Sequence, residues 1–97
     1  MIRHCVFVGL APGTAEAAAT AIVEALRSLP GQIEAIATYE VGRDLGLRDG
    51  NPEIAIVASF EDEDAWRTYV EHPAHVAVIE QHIAPHATSR SSVQFEV

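Results

Sequence analysis

Two histidines stand where an acid–base pair would be useful. His4 lies in the apolar run from Ile2 to Gly9, on the same strand face as Val6 and Val8. His75 follows the His72-Pro73 pair and shares a helical stripe with Val78 and Ile79. A polar ring on an apolar face needs a hydrogen-bond partner or a pocket. With an ordinary pKa of about 6.5, one imidazole can take a proton and another give one near neutrality. Tyr69 lies one turn and a helix break before His75, so its hydroxyl is expected at the same end of the pocket, where it would polarise a carbonyl.

Competing chemistries fit less well. His72 directly precedes Pro73 and reads as the cap of a new helical segment, with a contact at the edge of the pocket as its functional alternative. His72, His75, His82 and His86 have helical ligand spacings, but a zinc site wants three or four convergent ligands and Pro85 breaks the helix between the last two. No metal is expected. Cys5 falls on the strand face opposite His4, which separates the one thiol from that base. Gly42, Gly46 and Gly50 lack the Lys-Ser/Thr and the following helix of a phosphate loop. The acidic run Glu61 to Asp64 is a helix start. No cofactor signature is visible.

The elements that must hold these residues are legible from periodicity. Ile2 to Gly9 reads as a strand. Thr14 is placed to cap a helix whose inward stripe is Ala15, Ala18, Ala19, Ile22, Leu26 and Leu29, stopped by Pro30-Gly31. Ile33 to Val41 is the second strand, residues 42–52 a long connection, and Glu53 to Phe60 the third strand. Asp62 caps the second helix, which presents Ala65, Trp66, Tyr69 and Val70 inward. His72-Pro73 interrupts it, and a further helical stretch runs to about Ala84 before Pro85. Ser91 to Val97 alternates as the last strand.

The order β-α-β-β-α-β predicts an α+β, ferredoxin-like domain covering residues 1–97. In that topology the first and third strands are central, and both are apolar on both faces. Two-sided apolar strands imply two covers, one of helices and one from elsewhere. A second copy of the chain, docked sheet to sheet with Phe7 or Val57 near the contact, supplies the other.

Composition narrows the partners. The chain carries six basic residues, all Arg, against fourteen acidic ones, for a net charge of −8. No basic face is available for nucleic acid or an anionic membrane. One cysteine excludes an internal disulfide framework, and no run approaches the roughly 20 apolar residues of a membrane span. A cytoplasmic setting is expected.

The segments Ile2-Arg3-His4-Cys5-Val6-Phe7, Gly42-Arg43-Asp44 and Ile54 to Phe60 have a familiar cast. So, above all, does Tyr69-Val70-Glu71-His72-Pro73-Ala74-His75-Val76. Together they resemble the stress-responsive dimeric α/β-barrel (Dabb) family over essentially the whole chain. The resemblance implies a monomer whose open sheet face packs on its partner's, with a ligand pocket between sheet and helices in each subunit. In a plant polyketide cyclase of that family, catalysis without a cofactor rests on a histidine pair at positions that correspond to His4 and His75, and a tyrosine matching Tyr69 is also in the pocket. Ile22, Val23 and Leu26 match positions that carry large aromatic pocket walls there, and Ile54 replaces a third histidine.

Three functional readings follow: a cofactor-free cyclase, isomerase or lyase acting on a small carbonyl or polyketide-like compound; a non-catalytic, stress-protective protein that binds an apolar small molecule or only self-associates; and a cofactor-free monooxygenase. A cavity lined by Val6, Val8, Ile22, Leu26, Trp66 and Tyr69 is expected, dry and apolar apart from its histidines, and the catalytic reading adds that His4 and His75 face one another across it.

Overall fold

A computed structural model describes residues 1–97. One sheet contains all four strands: β1 (Ile2–Leu10), β2 (Ile36–Arg43), β3 (Ile54–Phe60) and β4 (Ala87–Glu96). Their order is β2-β3-β1-β4 and every pairing is antiparallel. The two strands with apolar residues on both faces are the central ones, and the fold is the ferredoxin-like α+β arrangement. The helices α1 (Glu16–Arg27), α2 (Glu63–Glu71) and α3 (Pro73–Val78) layer one face, and a π-helical turn over Ile79–Ile83 prolongs α3.

Strand alternation divides the sheet's side chains cleanly. His4, Val6 and Val8 of β1 and Ile54, Ile56, Ala58 and Phe60 of β3 turn toward the helices, where Ile22, Val23, Leu26 and Leu29 complete the core. The other face carries Cys5 opposite Val57 and Val93, and Phe7 opposite Ala55 and Ser91. Phe7, Val93 and Phe95 on this open face are 41%, 51% and 49% exposed, an apolar strip at the surface of the single chain.

Several boundaries depart from the expected ones. Thr14 does not cap α1. Its hydroxyl donates to the Ala11 carbonyl at 2.6 Å, closing the turn in which Gly13 adopts φ +81°, and Ala15 occupies the cap position with no side-chain bond. Ala15 therefore precedes the helix and is exposed. Ala18 is half-buried, and the buried stripe is Ala19, Ile22, Val23 and Leu26. β2 begins at Ile36, so Ile33 is a buried core residue outside the sheet.

β4 begins at Ala87, earlier than its apolar alternation indicates, because a bulge between Gly9 and Leu10 carries the pairing on to Ala87. A Cβ at Gly9 would meet the Ser89 hydroxyl, which would have to rotate aside.

Asp62 caps α2 as expected, its Oδ1 accepting from the Ala65 amide at 2.9 Å. Asp62→Ala should lower the unfolding free energy by about 1 kcal/mol. Urea titration followed by circular dichroism reads this directly.

Candidate functional site

The site begins with a broken helix. Pro73 disfavours helical geometry at the preceding residue and offers no amide hydrogen, so His72 takes an extended conformation (φ −62°, ψ 134°) and α2 ends at Glu71. The Ala74 amide, which an unbroken helix would send to the Val70 carbonyl, donates instead to His72 Nδ1 at 3.0 Å. His72 is thus the N-cap of α3. The Val70 carbonyl is left as one of the orphan acceptors of a helix end, and the His75 ring meets it with Nδ1 at 3.0 Å.

That bond sets the tautomer of His75. A carbonyl only accepts, so Nδ1 carries the hydrogen and Nε2 keeps its lone pair. Burial holds the His75 pKa below the ordinary histidine range. The Val70 carbonyl works in the opposite direction, and the charges of Arg90 and His72 push it down further. Near neutral pH the ring is a free base with its acceptor nitrogen fixed by the backbone.

His4 has the complementary tautomer. Its Nδ1 lies 3.3 Å from the indole nitrogen of Trp66 and 2.9 Å from the side-chain amide nitrogen of Gln94. An indole N–H only donates, so Nδ1 is the acceptor and the hydrogen of the neutral ring sits on Nε2. Phe60, Trp66 and Tyr69 surround the ring edge-on at 6.0–6.2 Å between centroids. Burial, and then the nearby His75 imidazole, lowers the His4 pKa.

Tyr69 packs near both imidazoles, its ring centroid 6.0 Å from that of His4 and 4.4 Å from that of His75. Its hydroxyl is paired with the Tyr39 hydroxyl of β2 at 2.8 Å. Burial raises the pKa of both phenols. The hydroxyl expected to polarise a carbonyl is thus also a partner of Tyr39, and one of the two phenol hydrogens stays free for a further bond.

These groups line a pocket of about 530 Å³ between sheet and helices. His4, Val6 and Val8 form its floor from β1, with Ile56 beside them. Trp66, Tyr69, Val70, His75, Ile79 and Ile83 form the helical wall, and Leu26 reaches in from α1. Three residues expected at the pocket lie elsewhere. Ile22 and Val23 are enclosed in the core between α1 and the sheet, and His72 is spent on the helix cap.

The pocket is also less uniformly apolar than expected, because β4 contributes Arg90, Ser91, Ser92 and Gln94. The signal for this wall was present in the alternation of β4: if Val93 and Phe95 occupy the open face, Ser92 and Gln94 must share the face of His4. No three His, Cys, Asp or Glu side chains converge on a common point.

Because burial lowers the pKa of both rings, they make a testable pair. Imidazole resonances should titrate below about 6.5 for His4 and His75. The linkage has a definite sign. The unfolded chain takes up these protons at higher pH than the folded one, so their contribution is neutral above the unfolded pKa. Below it, they make stability fall until the folded pKa values are reached. Chemical denaturation across pH 8 to 5 should show that decline, and Gln replacements at both positions should flatten it.

Four antiparallel strands in this order, one helical layer and a pocket between them define a ferredoxin-like domain built around an interlayer histidine pair. The chain belongs to the stress-responsive A/B barrel domain family, whose sequence profile matches residues 2–97. An uncharacterised protein of Streptomyces coelicolor is 40% identical over 79 residues, covering 79% of this chain and 81% of that one. A dimeric ferredoxin-like protein of unknown function from Thermobifida fusca is 35% identical with a TM-score of 0.90, covering 99% of this chain and 90% of its own. A hydroxynitrile lyase from Passiflora edulis superposes with a TM-score of 0.85 at 15% identity, covering 99% of this chain and 92% of its own, a likeness of fold. No helix is long and apolar enough to cross a membrane.

Proposed function

We propose that this chain is a cofactor-independent acid–base catalyst of the cyclase, isomerase or lyase type, acting on a small carbonyl compound within the interlayer pocket. One observation carries the reading: two neutral imidazoles line one pocket in opposite tautomers. Nε2 of His75 is the base that removes a proton adjacent to the carbonyl. Nε2–H of His4 is the donor that meets the oxygen as it gains negative charge. Phe60, Trp66 and Tyr69 pack around the His4 ring, and the low local polarity strengthens its interaction. The lyase among the structural relatives has this fold but too little sequence identity to carry its reaction across.

The working form is a homodimer joined through the open sheet face, which the exposed Phe7, Val93 and Phe95 favour and the dimeric relatives parallel. The lone Cys5 thiol suits a reducing, cytoplasmic setting.

Deuterium wash-in tests the chemistry without knowledge of the physiological substrate. Phenylacetone, acetylacetone and ethyl acetoacetate are incubated with the protein in heavy water, and loss of the α-proton signal is followed by NMR. Exchange well above the buffer rate for at least one compound is expected. Exchange at the buffer rate for all three would leave a binding-only protein as the better reading.

A further inference from the structure

The chain is strongly acidic, yet its pocket contains no carboxylate. None of the fourteen Asp and Glu residues lines it, and one of the six arginines does. Most of the other arginines are engaged. Arg3 donates to the Ser59 hydroxyl, Arg27 to the Val41 carbonyl, Arg43 pairs with Glu16 and Arg67 with Asp64. The Arg90 side chain, on an exposed residue, has no ion pair and no hydrogen bond within the chain. It stands opposite Val8 in the β1–β4 register, on the strand face that the pocket occupies. The hydroxyl of Ser92 and the amide of Gln94 continue the same polar wall. The opposite wall of Val70, Ile79 and Ile83 is hydrocarbon.

We infer that Arg90 is a carboxylate-binding residue of this pocket and that the compound the pocket takes is a small organic anion: an apolar body bearing one carboxylate. A planar guanidinium accepts a carboxylate through two parallel N–H···O bonds, and the absence of acidic neighbours leaves that fork uncontested. The field of a net −8 chain repels anions in general, so one local cation also selects where an anion enters. The inference depends on the pocket being a ligand site and narrows its substrate class. It does not depend on catalysis.

A second consequence supports it. The Arg90 charge helps to hold the His75 imidazole neutral, alongside burial and His72, while the Val70 carbonyl acts oppositely and His4 and Tyr69 face the ring. A carboxylate on Arg90 cancels part of that charge, so a bound anion makes His75 a stronger base.

Calorimetric titration of the intact protein with two matched pairs, phenylacetate with phenylacetamide and hexanoate with hexanamide, separates charge from shape. At least one carboxylate should bind about tenfold or more tightly than its amide, the range expected for charge-assisted hydrogen bonds. Arg90→Gln should erase that preference while leaving amide affinity within about twofold, and Arg90→Lys should restore part of it as a point charge. The carboxylate, but not the amide, should raise the His75 pKa read by NMR.

Equal affinity within both pairs, no measurable carboxylate binding, or a preference that survives Arg90→Gln overturns the inference. An Arg90-dependent preference in a protein that catalyses no deuterium exchange upholds it and overturns only the catalytic reading.

Discussion

Val57→Asp should turn a dimer into a monomer at micromolar concentration. Val57 sits on the open face of central strand β3, with Cys5 directly opposite on one side and Glu40 on the other. Phe7 and Val93 extend the same apolar strip. A contact that mates two such faces repeats every residue by symmetry, so one substitution buries two carboxylates, each without a cation. An unpaired buried charge costs several kcal/mol, comparable with the burial of two or three apolar side chains at about 1.5–3 kcal/mol each.

Sedimentation velocity on both proteins measures the effect, with circular dichroism as the control for folding. A monomeric wild type, or a Val57→Asp variant as dimeric as the wild type, contradicts the sheet-face dimer. If Val57→Asp fails to fold, Phe7→Gln tests the same face from a side chain that is 41% exposed in the single chain.

His75→Ala should lower the catalysed exchange rate by about 100-fold or more, the usual contribution of a positioned general base. The substitution also removes the donor to the Val70 carbonyl, which water can replace at a helix end, so the stability cost should stay near 1 kcal/mol. His75→Gln offers a sharper comparison. Its amide can still donate toward the Val70 carbonyl but cannot take a proton, so it should keep the fold and lose the rate.

A His4→Ala variant should lose less, because it removes a donor to the developing oxyanion and leaves the base in place. Equal rates in wild type and His75→Gln would dismiss the base. Full activity in His4→Ala with loss in His75→Gln would keep the base and discard the donor.

The topology was legible because it depends on local patterns. Valines, isoleucines and alanines on both faces of β1 and β3 already mark them as central, and Asp62, Pro73 and Pro85 place helix ends through chemistry confined to a few residues. What escaped was long-range. β4 starts at Ala87 because of a bulge across from Gly9, and the stretch Ala-Thr-Ser-Arg has no alternation to announce it, being a polar edge strand. The pairing of Tyr39 with Tyr69 joins residues thirty positions apart, and nothing in either segment signals it. The alanines of α1 are too alike to fix the phase of the helix, which left Ala15 misplaced and enlarged the expected cavity toward Ile22. His4 and His75 were found from their apolar neighbours, whereas their tautomers required partners that only folding brings near: Trp66 and Gln94 for one, the Val70 carbonyl for the other.

The partner of His75 is a carbonyl, not a carboxylate, and that has a consequence for how long a proton can stay. In a Ser-His-Asp triad the aspartate balances the imidazolium that forms, so the charged ring persists through a step. A carbonyl orients the ring and offers only a partial dipole. With Arg90 also nearby, imidazolium at position 75 has no resident counter-charge. In the proposed reaction, the anion created when the substrate gives up its proton would itself serve as the counter-ion. Proton removal and proton return would thereby be tied to one bound molecule, and the ring would reset to neutral before product leaves. A site built this way favours reactions that conserve protons internally, in which each proton taken is handed back within the same turnover.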